Sequence, residues 1–321
     1  MTIIGLKKNL SLFMPRLYKF YRNYVIKEKK VSWGNENPDK TFYIIGQNDG
    51  TGGLWWIINK VLMHIWYAEE KGYIPVIDLK NYKCQYSDPN DNNTNVWELF
   101  FKQPCGYSLD DISKSKNVIM NKEVPYPSMK YIMGNFYDDG KRIEIFRNLF
   151  QKYIYFNEKT LEYLNKRKDS ILHKDRRVLG ILCRGTDYVQ TKPKGHPIQP
   201  EPQDVIREAE LIMKQYQCEY IFLATEDKDI FNQFQQKFGT KLLFEDQQRW
   251  SKEELNQGDF LAKSVSKQET NYWRGVHYLT STYILSNCTC YLAGRTGGSK
   301  GVLIMNRGFE YQKIYDLGLY E

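Results

Sequence analysis

The sequence predicts an α/β protein with doubly wound parallel sheets, divided into two domains. Short apolar runs typical of strands alternate with stretches of helical periodicity, and this order produces parallel sheets flanked by helices. The chain has 321 residues, about right for two domains of ~100–200 residues each. Hydrophobic residues make up 41% of the chain, enough to fill a sizeable interior. No apolar run approaches the ~18–20 residues of a membrane span.

The first predicted domain begins with a βαβ unit. Residues 41–45 and 73–78 have the pattern of strands, and residues 54–71 have that of a helix closed by Gly72. The glycine-rich turn 46–53 joins the first strand to this helix, where backbone can approach a ligand at the positive helix end. The turn lacks the glycine spacing of a dinucleotide-binding motif and the Gly-Lys-Ser/Thr of a P-loop. A tight strand–helix turn that binds no ligand therefore fits the sequence equally well.

The second predicted domain repeats the alternation of strands and helices. Strands are predicted at 178–183, 220–224, 241–244 and 290–293, and helices at 157–172, 201–216, 228–238, 272–287 and from 299 onward. These elements divide the chain into a basic arm (1–38), a first domain (39–174) and a second domain (175–321).

Three strands of the second domain end in polar residues. The clusters are Arg184, Thr186 and Asp187; Thr225, Glu226 and Asp227; and Arg295, Thr296, Gly297, Gly298 and Ser299. Because the carboxyl ends of parallel strands lie along one edge, the clusters can converge on one ligand. An arginine can bind a phosphate through two parallel charge-assisted hydrogen bonds, and a glycine-rich helix start presents N–H groups to an anion. The pattern indicates a phosphate-bearing ligand in a cleft, and with it an enzyme.

Each cluster also has a purely structural explanation. Asp187 can cap a loop, and Asp227 can be the N-cap of a helix that begins at Lys228. Arg295 can pair with a surface acid, an interaction worth little. Asp227 and Asp229 form an Asp-x-Asp sequence, but its position at a helix start favours capping and a nucleotide contact over metal ligation.

The segment 192–200 contains three prolines and a glycine, which predicts a stiff loop over the mouth of the cleft. Lys192 and Lys194 can neutralise a diphosphate there. His196 can donate a hydrogen bond to a substrate, although a lone loop histidine is more often structural or exposed.

The charge of the chain is concentrated at its start. Residues 1–30 contain eight Lys or Arg and one acid, so they carry nearly all of the net charge of +8. Apolar residues lie between these cations, a mixture that suits a helix on an anionic membrane surface. A terminal helix docked on the body, with a solvated basic face, fits equally well. Nucleic acid is not indicated, because no binding motif accompanies the basic segment.

The cysteines and the first residues favour a cytoplasmic protein. The six cysteines have no regular spacing, and the chain contains no Cys-x-x-Cys, so neither a disulfide framework nor a structural zinc site is expected. The first residues lack the order of a signal peptide. The cysteines are Cys84, Cys105, Cys183, Cys218, Cys288 and Cys290.

Residues 182–198 resemble a motif of the fucosyltransferase superfamily, whose members have the two-domain GT-B fold. The α1,6-fucosyltransferases carry H-x-R-R-T-D-x-V-x-T-E followed by H-P-I. This chain aligns without a gap through Arg184, Thr186 and Asp187, then Val189, Thr191 and His196-Pro197-Ile198. The family sequence A-T-D-D is similar to Ala224–Asp227, and the turn 46–53 is similar to the first domain of capsule and O-antigen transferases.

The resemblance implies two Rossmann-like domains that face a cleft and an inverting, metal-independent transfer of fucose from GDP-fucose. No cofactor is implied; the partners are the nucleotide sugar and an oligosaccharide or lipid-linked glycan, as in capsule or O-antigen synthesis. Arg184 matches the arginine that binds the β-phosphate, and its charge can stabilise the departing GDP. The resemblance also places Thr186, His196, residues 225–227 and residues 295–299 at the donor. Residues on the acceptor side would be Asn48, Gly50, Gly52, Gly53, Lys192 and Lys194.

Three departures from the family pattern leave the general base open. The catalytic glutamate of the family aligns with Lys192, its histidine with Leu182, and its second arginine with Gly185. A protonated lysine cannot accept a proton, so Asp187 is the first candidate base and Asp49 the second. A transferase for another nucleotide sugar, and a sugar- or nucleotide-binding protein without activity, remain alternatives.

Overall fold

The computed structural model describes residues 28–46, 52–88, 90–120, 129–131, 133–134, 136–185, 192–251, 254 and 271–321. Residues 1–27, which make up most of the predicted basic arm, lie outside this description.

Within the described residues the chain forms nine strands and seven α-helices. The strands are β1 (Lys29–Val31), β2 (Phe42–Gly46), β3 (Ile74–Asp78), β4 (Val118–Met120), β5 (Val178–Leu182), β6 (Tyr220–Ala224), β7 (Leu242–Phe244), β8 (Cys290–Gly294) and β9 (Tyr311–Tyr315). The helices are α1 (Leu54–Lys71), α2 (Gly140–Tyr153), α3 (Glu158–Ile171), α4 (Pro202–Gln215), α5 (Lys228–Phe238), α6 (Asn271–Leu285) and α7 (Gly297–Met305). Short 3₁₀ turns cover Val96–Leu99, Met129–Tyr131 and Gly239–Lys241.

The first sheet has the strand order β1-β4-β2-β3. Strand β2 is buried along its whole length and pairs in parallel with β3 from Phe42↔Ile74 to Gly46↔Asp78. Strand β1 is antiparallel to β4 and lies at the edge of the sheet. Its residues Lys29–Val31 belong to the segment predicted as a helical arm, and their lysines suit an exposed edge that should not pair with another chain.

The second sheet is parallel throughout, in the order β7-β6-β5-β8-β9. The chain moves outward from β5 through β6 to β7, and then returns to the other side of β5 for β8 and β9. The strand order therefore reverses between β5 and β8, the position at which open α/β sheets bind ligands.

The predicted alternation of strands and helices is confirmed, with boundaries that agree to within two or three residues. The sequence analysis missed α2, β4 and β9. Strand β9 has the sequence Tyr-Gln-Lys-Ile-Tyr at a half-exposed edge, and it shows neither an apolar run nor a regular alternation that would mark a strand. The domain boundaries at 38/39 and 174/175 stay a prediction.

Helix α1 is buried between the first sheet and helices α2, α6 and α7. Twelve of its eighteen residues are buried, because helices from both halves of the chain pack around it. Trp55 is fully buried and donates its indole N–H to Thr282 Oγ1 of α6 at 2.8 Å. A β-carbon at Gly301 of α7 would lie 2.2 Å from the Trp55 ring, so this close approach requires glycine. One hydrophobic core thus spans both halves.

Among the helices that the structure describes, none combines the length and apolar character that a membrane crossing needs.

The Trp55→Ala variant should lose about 3–5 kcal/mol of unfolding free energy, because truncation of a large buried aromatic leaves a cavity. Urea denaturation followed by circular dichroism measures this loss. Trp33→Ala is the matched control, since Trp33 is 41% exposed and should change stability by less than about 1 kcal/mol. Equal stability of the two variants would show that Trp55 does not hold the halves together.

Candidate active site

Two arginines follow the strands that flank the reversal of strand order. The last paired residues of β5 and β8 are Leu182↔Ala293, and each arginine comes two residues later, Arg184 after β5 and Arg295 after β8. Strand β6, which leads to the Thr225–Asp227 cluster, pairs with β5 on its other side. The topology therefore brings Arg184, residues 225–227 and residues 295–299 to one edge of the sheet.

Glu226 holds the turn that carries Arg184. Its Oε1 accepts the N–H of Gly185 at 3.1 Å and lies 4.0 Å from Arg184 Nε. A β-carbon at Gly185 would lie 2.4 Å from Asp227 Oδ2. This contact explains why a second arginine, which the family motif has at this position, does not fit here.

Asp227 is the N-cap of α5. Its Oδ1 accepts the N–H groups of Asp229 at 2.9 Å and of Ile230 at 3.0 Å, while Thr225 Oγ1 accepts the N–H of Asp227 at 3.2 Å. Asp227 is buried and Asp229 is exposed. The two carboxylates therefore occupy different environments, and the Asp-x-Asp sequence serves as a helix start.

The beginning of α7 is joined to the first half of the chain by Tyr137. Thr296 and Ser299 form a capping box, in which Ser299 N–H donates to Thr296 Oγ1 at 3.0 Å. The Tyr137 hydroxyl donates to Thr296 O at 2.6 Å and accepts the Thr296 N–H at 3.0 Å. Both cap hydroxyls are thus engaged, which leaves the N–H groups of Gly297 and Gly298 as the donors that a helix start offers an anion.

Arg295 is surrounded by charge. Its Nη2 lies 2.5 Å from Asp138 Oδ1 and 3.1 Å from Asp316 Oδ2, and its guanidinium lies 5.2 Å above the Tyr137 ring. Lys300 Nζ is 5.6 Å from the centre of the same ring. Burial and repulsion from Arg295 lower the pKa of Lys300. A lysine in the first turn of a helix also opposes the helix dipole, so this region favours an anion.

The first turn of α1 meets the start of α7. A β-carbon at Gly297 would lie 3.6 Å from the backbone nitrogen of Trp56 in the first turn of α1. Gly53 caps α1, and the Gly52 carbonyl accepts a hydrogen bond from Gln85 Nε2 at 2.6 Å. The positive ends of two helices, one from each half, therefore lie side by side.

The predicted loop 192–200 is held against the end of the chain. Gly195 N–H donates to Tyr320 O at 2.8 Å, and Tyr320 N–H donates to His196 O at 2.9 Å. The Gln199 amide donates to Arg295 O at 3.2 Å, which connects the loop to the edge of the sheet. Lys192 and Lys194 are exposed, and His196 is partly exposed. The backbone pairing, not proline stiffness alone, fixes this loop.

Five predicted site residues lie outside the described part of the chain: Asn48, Asp49, Gly50, Thr186 and Asp187. Both candidate bases are among them, so the assignment of the base stays a prediction. The sequence analysis missed Tyr137, Asp138 and Lys300. Tyr137 and Asp138 belong to an irregular stretch without a motif, and only their contacts with residues 295–299 give them significance.

Two substitutions separate the capping role of Asp227 from a role for its charge. Asp227→Ala should cost about 1 kcal/mol of stability, whereas Asp227→Asn should cost only a few tenths, because asparagine caps a helix as well as aspartate. Thermal or urea unfolding of both variants measures the difference. Indistinguishable losses in the two variants would mean that the cap is not what Asp227 contributes.

Comparison with known proteins gives structural neighbours only. No family model matches the chain, and no curated protein sequence matches it. The apo form of POFUT1 is 10% identical, covers 87% of this chain and 99% of its own, and superposes with a TM-score of 0.50. Fucosyltransferase NodZ from Bradyrhizobium is 13% identical with a TM-score of 0.45, over 82% of this chain and 92% of its own. FUT1 from Arabidopsis thaliana is 9% identical with a TM-score of 0.48, over 96% and 77%. The similarity to POFUT1 confirms the predicted GT-B fold.

Proposed function

We propose that this protein is an inverting, metal-independent glycosyltransferase that moves fucose from GDP-fucose to a glycan. The observation that carries the proposal is the position of Arg184 and Arg295 at adjacent strand ends, where the strand order reverses, beside the start of α7. Such an edge is where α/β sheets bind nucleotides. The choice of GDP-fucose depends on the motif resemblance at residues 182–198.

The charges at this edge suit a departing diphosphate. As the bond between the sugar and GDP breaks, negative charge grows on the β-phosphate, and fixed cations stabilise that charge more strongly in the transition state. Arg184 is the nearest match to this role. Arg295 and Lys300 stand beside the start of α7, where Asp138 and Asp316 balance Arg295 in the free protein. A bound diphosphate would replace part of the negative charge that these two aspartates supply to Arg295.

In the proposed reaction an acceptor hydroxyl attacks the sugar C1 from the face opposite GDP. The bond from C1 to the β-phosphate oxygen breaks, a bond from C1 to the acceptor oxygen forms, and the hydroxyl proton passes to a carboxylate. Asp187 is our first candidate for this base and Asp49 our second. Glu226 and Asp227 are poor candidates, because one holds Gly185 and Arg184 while the other caps α5.

The finer parts of the proposal concern the acceptor and the place of the reaction. We propose an oligosaccharide or lipid-linked glycan of capsule or O-antigen type as the acceptor, with Gly52, Gly53, Lys192 and Lys194 on its side of the cleft. The cations of residues 1–30 would hold the cytoplasmic enzyme at an anionic membrane surface. Lys192 in place of the family glutamate favours the second candidate, a nucleotide- or sugar-binding protein without activity.

GDP and GDP-fucose should raise the melting temperature, whereas UDP and dTDP should not, and EDTA should leave the shift unchanged. A ligand at 100 times its Kd stabilises the fold by about 2.7 kcal/mol, which a thermal-shift assay detects readily. A response to UDP or dTDP alone would discard GDP-fucose as the donor. Binding of GDP-fucose without any release of GDP, with or without acceptors, would favour the binding protein.

Arg184→Ala should lower the rate of GDP release from GDP-fucose on the order of 10²-fold or more, because a charge partner of the transition state is lost. The matched control is Arg207→Ala, since Arg207 is exposed on α4 and, within the described residues, its ion pair is with Asp204 of the same helix. A rate for Arg184→Ala close to that of the control would refute the phosphate role of Arg184.

The affinity for GDP should fall at alkaline pH as Lys300 loses its proton. An anion binds the protonated lysine better, so affinity is highest below the pKa of Lys300 and declines as pH rises through it. Because that pKa is lowered, the decline should begin at lower pH than for an ordinary lysine. Lys300→Arg should abolish this part of the decline, since a guanidinium stays charged. Isothermal titration calorimetry with GDP at a series of pH values tests this prediction. Changes in the protonation of GDP itself affect wild type and Lys300→Arg equally. Identical profiles would exclude Lys300 from the site.

A further inference from the structure

A small pocket lies between α3 and α6, apart from the arginines of the candidate site. Its volume is about 230 Å³. Its walls are aromatic and its rim is charged, and the residues that define it are Tyr163, Tyr272, Trp273, Lys159, Glu162 and Lys166. Most pockets for drug-sized ligands measure roughly 300–1,000 Å³, so this one suits a smaller unit.

The aromatic wall is fixed by its own contacts. The Trp273 ring meets Tyr163 edge to face at 5.7 Å and Tyr272 at 5.5 Å, and it lies 5.9 Å from the His277 ring. Trp273 is nevertheless 41% exposed. Single exposed aromatics are common on protein surfaces, but here three rings surround one cavity. A platform held in this way loses little conformational freedom when a ligand binds.

The rim carries hydrogen-bonding side chains of both positive and negative charge. Lys159 Nζ lies 5.4 Å from the centre of the Tyr272 ring. Glu162 and Lys166 are exposed, and within the described part of the chain neither side chain forms a hydrogen bond or an ion pair with another residue. Their polar atoms can therefore serve a ligand. A ligand that matches both wall and rim has an apolar C–H face and an edge of hydroxyl groups, which is the chemistry of a pyranose ring.

The pocket lies at the same edge of the second sheet as the candidate site. Helices α3 and α6 lead into the adjacent parallel strands β5 and β8, so their first turns lie toward the carboxyl ends of those strands. Arg167 of α3 forms an ion pair with Glu245, the residue after β7, with 3.0 Å between Nε and Oε1. The helix turns that line the pocket thus lie toward the same end of the sheet as Arg184 and Arg295.

A chain of hydrogen bonds connects the pocket with the glycine turn. Arg274, the neighbour of Trp273, donates from Nη2 to Gln85 Oε1 at 2.7 Å. The Gln85 amide in turn donates to the Gly52 carbonyl at 2.6 Å, immediately before α1. The position of the aromatic wall is therefore fixed relative to the turn at which we place the acceptor.

We propose that the pocket between α3 and α6 binds one sugar ring of the acceptor glycan, beyond the ring that receives the transferred sugar. The ring stacks on Trp273 and its hydroxyl groups bond to Glu162 and Lys166. The identification of this glycan as the acceptor rests on the proposed function, whereas the binding of a sugar ring rests on the pocket alone.

An array of immobilised neutral, amino-sugar and uronic-acid oligosaccharides tests the proposal with the intact protein. Wild type should bind a subset of these glycans, and Trp273→Ala should lose about tenfold or more in affinity, as expected for an aromatic anchor. Trp33→Ala is the matched control, since Trp33 is equally exposed at 41% and lies in the first half of the chain. It should bind like wild type.

Two further measurements distinguish a loss of glycan binding from a folding defect and from a failure of the proposed function. Glu162→Ala and Lys166→Ala alter exposed side chains without internal partners, and each should weaken glycan binding about threefold to tenfold. The thermal shift with GDP should be the same in every variant. If GDP does not bind but the glycan losses occur, the transferase proposal fails and the pocket stands. The pocket proposal is overturned if wild type binds no glycan, or if Trp273→Ala binds like Trp33→Ala.

Discussion

The packing of α1 between the first sheet and helices α6 and α7 is the constraint on which the rest of the structure depends. Its Trp55 ring fits over Gly301 of α7 and bonds to Thr282 of α6, so a helix of the first half is enclosed by helices of the second. This packing sets the first turn of α1 beside the first turn of α7, and Tyr137 secures α7 from the same side. One hydrophobic core, with residues from both halves, therefore holds these two helix starts together.

The charges at this edge are the physical basis of the anion site that we propose. Two helix starts, Arg295 and Lys300 concentrate positive charge here, and burial together with repulsion from Arg295 lowers the pKa of Lys300. Asp138 and Asp316 offset part of this positive charge through their ion pairs with Arg295. Glu226 instead orients the turn of Arg184. Among the described acids at this edge, Glu226, Asp138 and Asp316 thus have structural partners, so Asp187 and Asp49 stay our candidates for the general base.

The sequence alone predicted the fold and the sheet edge, but not the partners across the cleft. Apolar runs and helical periodicity are local signals, and so is the polar cluster at each strand end, which is why β5, β6 and β8 and their clusters were identified. The capping role of Asp227 was also readable from its position before a helix. Tyr137 and Asp138 could not be found, because their importance depends on residues more than 150 positions later in the chain. The pairing of residues 195–198 with the chain end is equally non-local.

A core shared by the two halves would also change how the proposed enzyme uses substrate binding energy. Where two domains meet only across a flexible linker, part of that energy goes into swinging them together. Here such a hinge would have to pull Trp55 away from Gly301 and Thr282 and expose a large buried aromatic to water. In the proposed transferase, the donor and acceptor sides would accordingly be held at a fixed separation before either substrate binds, and selectivity would depend on fit to a preformed site and not on domain closure.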